Sequence, residues 1–309
     1  MPSVKRSVDR RIRESDGKSV KIRLPEIRHN RAGFEALVQL RAKTKDCMFD
    51  DIDVDMRWTS WFDADMCAPF GAILYRLSHR INTVKLVNVP TSVDKILSKN
   101  GFLSHYGGTK LPDTWGTTIP YRRFEARDDR YFASYIEEEF VRRSEMPKMS
   151  VGLVKKFRES VFEIFSNAVI HSQTKLGIFS CGQYFPRRDR LDFAVADLGI
   201  GIRQNVLRNA GLNLTADQAI SWATEERNTT KRGQIPGGLG LKLLKEFITL
   251  NRGRIQIVSD SGYWALEQGE VTSGELTYRF PGTVVSIEID TADKRSYRLS
   301  SEVSERDIF

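Results

Sequence analysis

Three short runs of sequence decide the fold. The first is Glu163-Ile-Phe-Ser-Asn167-Ala-Val-Ile-His171. The second is Asp197-Leu-Gly199-Ile-Gly201-Ile202, and the third is Gly237-Gly238-Leu239-Gly240-Leu241. Each run alone is weak evidence, because a Glu/Asn pair on a helix is usually a solvated face and glycines usually mark turns and loops. Their order, with a helix, strands, a loop and a second helix around them, is much less expected by chance.

The first run lies in a helix predicted from Ser150 to His171, with Ser150 as its N-cap. Glu163 and Asn167 are four residues apart, so they are neighbours on one helix surface. Carboxylate and amide oxygens suit a hard cation such as Mg²⁺, which usually keeps several waters. The pair is therefore a candidate Mg²⁺ site, in which Glu163 would polarise a water or a hydroxyl as a general base.

The second run follows an apolar segment, Phe193 to Ala196, that is typical of a buried strand ending at Asp197. Gly199 and Gly201 then allow a tight turn and the close approach of a flat ligand. The glycines of the third run precede a helical pattern, where free backbone N–H groups and the helix dipole favour phosphate. The two runs therefore predict a base pocket and a phosphate site.

These runs resemble the N, G1 and G2 boxes of the GHKL (Bergerat-fold) ATPases, which include gyrase and histidine kinases, and most closely those of anti-sigma-factor serine kinases. The resemblance covers 115–290 and implies that ATP and Mg²⁺ are bound, with Asp197 meeting the adenine amino group. It also implies a lid at about 203–236. The nucleotide-binding residues it implies are Asn167, Asp197, Gly199, Gly201, Ile202, Lys231, Arg232, Gly237, Gly238, Leu239, Gly240 and Thr283.

The sequence pattern in the first third of the chain predicts alternating strands and helices, which indicates a small α/β layer over 19–110. The runs Gly71-Ala-Ile-Leu74 and Val84-Lys-Leu-Val-Asn-Val89 are similar to those of STAS domains of anti-sigma-factor antagonists. The acceptor serine of that family falls on Cys67 or Ala68 here, which argues against phosphorylation at the usual position. The fold class expected for the whole chain is therefore α/β (α+β), with a STAS-like domain preceding a two-layer Bergerat sandwich.

Composition indicates an ordinary globular protein: 309 residues, 40% hydrophobic and 28% charged, with no apolar run long enough to span a bilayer. Three dispersed cysteines, Cys47, Cys67 and Cys181, match no zinc spacing and favour a reducing compartment. We therefore expect a cytoplasmic protein without a membrane segment.

The net charge of +8 is concentrated at the N-terminus, where residues 1–31 carry ten basic and four acidic side chains. This basic arm either binds an acidic partner or nucleic acid, or is a solvated terminus. At the other end, 291–309 is charged with little apolar periodicity, and we expect it to be disordered or bound to a partner.

Three functions are consistent with the sequence. The first is a slow ATP hydrolase acting as a nucleotide-dependent switch that regulates a protein partner. The second is a serine/threonine protein kinase like the anti-sigma kinases. The third is a nucleic-acid-associated clamp of a defence or repair system, supported only by the basic arm. A homodimer is compatible with each.

Overall fold

The N-terminal part of the chain forms a three-stranded parallel sheet covered by helices. The computed structural model describes residues 19–170, 172–225 and 239–302. The strands run in the order β1-β2-β3, and α1 and α2 are the connections between them. The elements are β1 (Ser19–Arg23), α1 (Arg31–Lys43), β2 (Asp51–Asp55), α2 (Cys67–His79), β3 (Thr83–Val87) and α3 (Thr91–Lys99).

The rest of the chain is built on a five-stranded antiparallel sheet of order β4-β6-β7-β9-β8. The central strand β7 pairs with β6 on one side and β9 on the other, so its C-terminal residue Asp197 lies opposite Thr283. The strands are β4 (Thr118–Phe124), β6 (Ile178–Phe185), β7 (Arg190–Asp197), β8 (Arg254–Glu267) and β9 (Glu270–Asp290).

Five further helices and two short strands complete the described chain. The predicted cap of α5 is confirmed, because the Leu153 N–H donates to the Ser150 hydroxyl at 3.1 Å. The helices are α4 (Asp129–Ile136), α5 (Val151–Ile170), α6 (Gly201–Ala210), α7 (Ala216–Thr224) and α8 (Leu239–Asn251). The short strands β5 (Lys148–Met149) and β10 (Ser296–Tyr297) pair in parallel.

The five-stranded sheet is buried on both faces, and strand alternation decides which residues face which layer. On β7, Phe193 and Val195 pack into the core formed with α4, α5 and α8, whereas Ala194 and Ala196 pack into the core shared with α1 and α2. Helix α2 lies on β6 and β7, and α1 lies on β9. The N-terminal layer therefore shares one apolar core with the larger sheet.

The mixed α/β class is confirmed, and most predicted elements are found within a few residues of their expected bounds. Residues 203–225, expected to begin a lid, form most of α6 and all of α7, and Ala216, Ala219 and Ile220 are buried. Of the described helices, none is long and apolar enough to cross a bilayer.

The expectation of a disordered tail from residue 291 onward needs correction as far as residue 302. Strand β10 pairs with β5, and Tyr297 is buried with its ring 5.2 Å from that of Phe247. One aromatic anchor therefore holds this charged segment, which is why periodicity did not reveal it. Residues 303–309 and residues 1–18 of the predicted basic arm lie outside the described chain.

Candidate functional site

A buried carboxylate at the end of β7 is the centre of the candidate site. Asp197 is only 4% exposed. The Gly199 N–H donates to its Oδ1 at 2.7 Å, and the Thr283 N–H also bonds to the carboxylate. Ser172 lies beside the carboxylate, with its own proton donated to the Ala168 carbonyl. A carboxylate offers about four lone-pair positions. Two neutral N–H donors therefore orient this group and leave acceptor capacity for a ligand.

Burial raises the pKa of Asp197 to about 7, against the opposing effect of Gly199, Thr283 and Ser172 beside it. Within the described part of the chain, no cationic side chain contributes to this shift. Among those residues, dipoles therefore stabilise the negative form, and an incoming amino group would stabilise it further. Such a carboxylate is chemically suited to accept a hydrogen bond from the exocyclic amino group of a base.

The turn after Asp197 approaches the end of α5 so closely that residue 199 must be glycine. A Cβ at Gly199 would lie 2.1 Å from the Ser172 carbonyl oxygen. The Ile200 N–H donates to that same oxygen at 2.8 Å. Gly201, with φ of 77°, then begins α6 in a conformation that side-chain-bearing residues rarely adopt. The glycine spacing predicted from the sequence therefore serves close packing and one left-handed turn.

Ser259 on β8 closes the other side of this turn. Its hydroxyl oxygen accepts from the Ile202 N–H at 2.8 Å, and its O–H lies 3.1 Å from the Gly282 carbonyl and 3.0 Å from Thr283 Oγ1. Thr283 thus contacts both the Asp197 carboxylate and Ser259, which holds the turn. The structure brings together four of the predicted residues around Asp197, namely Gly199, Gly201, Ile202 and Thr283.

The predicted metal and base residues lie on α5, whose C-terminal end is bonded to the same turn. Glu163 and Asn167 are both half-buried, one helical turn apart. The Ser172 hydroxyl bonds to the carbonyl of Ala168, the residue after Asn167, and contacts Asp197 as well. The end of α5 that follows this pair is therefore joined to the turn that carries Asp197.

Helix α8 runs antiparallel to α5, so its first turn points toward the Asn167 end. At the opposite end, the Ser150 N–H donates to the Tyr297 carbonyl, and Tyr297 packs on Phe247. The Phe157 ring lies 5.2 Å from Phe247. A helix rises 1.5 Å per residue, so Asn167 lies about 15 Å beyond Phe157 along α5. Leu239 lies about 12 Å before Phe247 along α8, which is the same direction in space because the helices are antiparallel. The start of α8 therefore lies toward the Asn167 end of α5.

Several predicted phosphate-binding residues lie outside the described chain. These are Lys231, Arg232, Gly237 and Gly238. The backbone at Leu239 and Gly240 forms the first turn of α8. Their roles remain predictions from the sequence.

Three residues of the site were not predicted from the sequence. Ser172 and Ser259 are common polar residues outside the three motifs, and Gly282 was noted only as part of the Gly282-Thr283 pair. A Cβ on Gly282 would lie 2.0 Å from the Asp197 carbonyl oxygen. These three residues matter because of contacts across the sheet, which the sequence does not show. The only hint in the sequence was Ser259, an isolated serine at the end of an apolar strand.

A second buried polar cluster, also not predicted, lies between the N-terminal layer and β7. The His29 Nδ1 atom is 2.8 Å from an Asp65 oxygen and 3.2 Å from an Asp192 oxygen, and all three side chains are fully buried. Their spacing would suit a shared cation. However, Arg190 Nη2 is already 2.9 Å from the same Asp192 oxygen. We therefore interpret the cluster as an ion network around a protonated histidine.

The electrostatics of this network agree with that interpretation. Although burial lowers the pKa of His29, the charges of Asp65 and Asp192 outweigh it and raise this pKa well above its ordinary value. Burial raises the pKa of Asp192, opposed by His29 and Arg190. The cluster joins two layers of the fold, since His29 precedes α1 and Asp192 lies on β7.

Comparison with known proteins gives no family assignment. No protein-family model matches the chain, and no curated protein matches it significantly. Functional inference therefore rests on the chemistry of the residues around Asp197.

Proposed function

We propose that this protein binds ATP with Mg²⁺ in the manner of the GHKL ATPases and acts as a nucleotide-dependent switch that regulates a protein partner. The observation that carries the proposal is the surroundings of Asp197: a buried carboxylate, oriented by two neutral N–H donors, with acceptor capacity left for a ligand. An adenine amino group has the complementary chemistry. The glycine turn beside it lets the chain pack closely around the carboxylate.

The residues on α5 fit the role expected of them toward a magnesium ion. Asn167 would hold Mg²⁺ through its side-chain oxygen, and Glu163 one turn earlier would contact the ion through water. Both are oxygen donors of the type that Mg²⁺ prefers, and both are half-buried. When bound, the ion supplies positive charge to the phosphates.

In the proposed reaction, Glu163 accepts a proton from the water that attacks the terminal phosphate. The start of α8 directs backbone N–H groups toward the phosphates, and Asp197 fixes the base. Positioning and electrostatic stabilisation contribute most of the rate enhancement in phosphoryl transfer, so slow turnover is compatible with a switch.

The first test measures ATP binding and hydrolysis by Glu163→Ala. We expect turnover to fall about 100-fold or more while ATP affinity stays within about twofold, because a general base typically contributes 10²- to 10⁴-fold. Glu159→Ala is the matched control, since Glu159 lies one turn earlier on α5, is exposed and pairs with Lys156. Unchanged turnover in Glu163→Ala would contradict the assignment of the base.

The same preparation separates hydrolysis from the kinase alternative. With γ-labelled ATP and candidate partner proteins, free phosphate supports the ATPase switch, whereas label on serine or threonine of a partner supports the kinase. Failure of the purified protein to bind any adenine nucleotide at millimolar concentration with magnesium would remove both.

A further inference from the structure

A cleft of about 850 Å³ lies behind the Gly199–Gly201 turn, between the N-terminal layer and the larger sheet. Residues 199–201 and Gly282 form part of its wall. This volume falls within the range of about 300–1,000 Å³ that is usual for small-molecule sites. The cleft is thus large enough for an organic ligand.

Basic side chains from four elements converge on this cleft. They come from α1 and the residues after it, from α2, from α6 and from β9. The six are Arg41, Lys45, Arg76, Arg203, Arg208 and Arg279. Among the described residues that line the cleft, Asp260 is the one acidic residue, and it is shared between Arg203 at 3.9 Å and Arg279 at 3.1 Å. The lining therefore has a strong excess of positive charge.

Four of these cations have no carboxylate within ion-pair distance in the described part of the chain, namely Arg41, Lys45, Arg76 and Arg208. Arg41 is half-buried, and its Nη1 atom is buried without a hydrogen-bond partner. Leaving a charged donor buried and unsatisfied is costly. Oxygen atoms of an anionic ligand would satisfy it.

The charges of this group also repel one another. Burial lowers the pKa of Arg41, and the charges of Arg76 and Arg80 lower it further, with Asp46 opposing. Burial and Arg80 act in the same direction on the pKa of Arg76. An anion bound between them would reverse the sign of the local potential and relieve this repulsion.

The cleft has an apolar side as well. Phe280 and Leu207 line it, and the Tyr278 ring is 48% exposed. An aromatic or aliphatic group attached to the anion could therefore pack beside the arginines.

We propose that this cleft is a second ligand site, which binds a small organic molecule carrying at least two phosphate groups. Four unpaired cations require more charge than one phosphate supplies, and the planar guanidinium fork matches phosphate oxygens. The site is distinct from the Asp197 carboxylate, because Asp197, Glu163 and Asn167 are not among the described residues that line it, although the Gly199–Gly201 turn borders both. It does not depend on ATP binding at Asp197.

The experiment is calorimetric titration of the full chain with inorganic tripolyphosphate, the simplest probe of the required charge. We expect one site, and a 10- to 100-fold loss of affinity in the double variant Arg41→Gln/Arg76→Gln, because hydrogen bonds to charged groups contribute about 1.5–3 kcal/mol. This variant should unfold at the same or a higher temperature, since it relieves repulsion. The unfolding temperature of the variant thus distinguishes loss of the binding site from loss of the fold.

The control is Lys85→Gln/Arg127→Gln, which removes the same charge from two exposed positions. Equal weakening by both double variants would overturn the proposal in favour of general charge attraction. Asn167→Ala, which removes the proposed magnesium ligand of the nucleotide site, should leave tripolyphosphate binding unchanged, and loss of binding there would overturn a separate site. If a single-stranded oligonucleotide binds more tightly than tripolyphosphate through Arg41 and Arg76, the cleft is a nucleic-acid site and the small-molecule proposal is wrong.

Discussion

Two buried aspartates on β7, five residues apart, have opposite environments. Asp192 faces the N-terminal layer and contacts His29 and Arg190. Asp197 ends the strand and, among the described residues, is bonded to the neutral N–H groups of Gly199 and Thr283, with Ser172 beside it. An odd spacing in a strand directs the two side chains to opposite faces. One carboxylate is neutralised by cations and joins two layers, whereas the other keeps an acceptor position for a ligand.

The largest expected effect removes the cation on the Asp192 side. His29→Ala leaves Asp65 without its nearest cation and Asp192 with Arg190 alone, so the free energy of unfolding should fall by about 3–5 kcal/mol. Urea denaturation at pH 6 measures it. Lys156→Ala breaks an exposed ion pair with Glu159 and should cost less than about 1 kcal/mol. A His29 variant as stable as that control would show that the network contributes little.

The second prediction concerns the pH dependence that Asp197 imposes on stability. The pKa of Asp197 in the folded protein, about 7, lies above the ordinary value of about 3.9. The contribution of Asp197 to the free energy of unfolding is therefore fully present below about pH 4 and is lost as the pH rises toward 7. The difference in unfolding free energy, wild type minus Asp197→Asn, should therefore decrease by on the order of 3 kcal/mol between pH 4 and pH 8.

Denaturation of both proteins between pH 4 and pH 8 measures how this difference changes with pH. The free energy of unfolding also declines above about pH 6.5 because of His29, whose pKa in the folded protein is raised as well. That decline is common to both proteins and cancels in the difference. A difference that is flat between pH 4 and pH 8 would contradict an isolated, dipole-held carboxylate at position 197.

The third prediction tests whether Asp197 accepts a hydrogen bond from the adenine amino group, by using a nucleotide whose base lacks that group. Inosine triphosphate has an oxo group where ATP has its amino group, so the wild type should bind ATP about 10- to 100-fold more tightly. Asp197→Asn should lose most of this preference, because its amide does not offer the same pair of acceptors. Competition titrations measure the ratio, with Asp51→Asn as an exposed control. Equal affinities for the two nucleotides in the wild type would separate Asp197 from base recognition.

The smallest expected effect concerns the support of the turn. Ser259→Ala removes the acceptor of the Ile202 N–H and a donor to Gly282, which should cost about 1–2 kcal/mol of unfolding free energy. ATP affinity should fall by a few-fold, because the turn beside Asp197 loses one of its fixed contacts. Ser261→Ala is the control, since Ser261 contacts only the exposed Glu275 at 3.2 Å. Loss of affinity without loss of stability would instead indicate direct contact with the ligand.

Local pattern was sufficient for most elements and for part of the site. The apolar run from Phe193 to Ala196 predicted β7, and the serine cap at Ser150 was confirmed. The residues of the turn from Asp197 to Ile202 were identified together because they are contiguous in sequence. Thr283 was added only through the family resemblance, and its contact with Asp197 depends on strand pairing across the sheet.

Other features depended on contacts between distant segments. Nothing near His29 in the sequence indicates Asp65 or Asp192 as its partners, and the basic residues of the cleft are spread from Arg41 to Arg279. The continuous β8–β9 hairpin and the packing of Tyr297 were also not anticipated. These depend on the docking of the N-terminal layer and the tail, for which local periodicity carries no information.

The sequence by itself determined the helices, the strands and the glycine turn, because side-chain spacing and backbone freedom act over a few residues. The tertiary structure alone decided that Asp192 and Asp197, which look alike in the sequence, meet cations in one case and neutral donors in the other. The physical reason is that an aspartate's charge state and hydrogen-bonding capacity depend on what surrounds it after the sheet is covered on both faces. Part of those surroundings comes from distant segments, which bring His29 and Asp65 to Asp192 and Thr283 to Asp197.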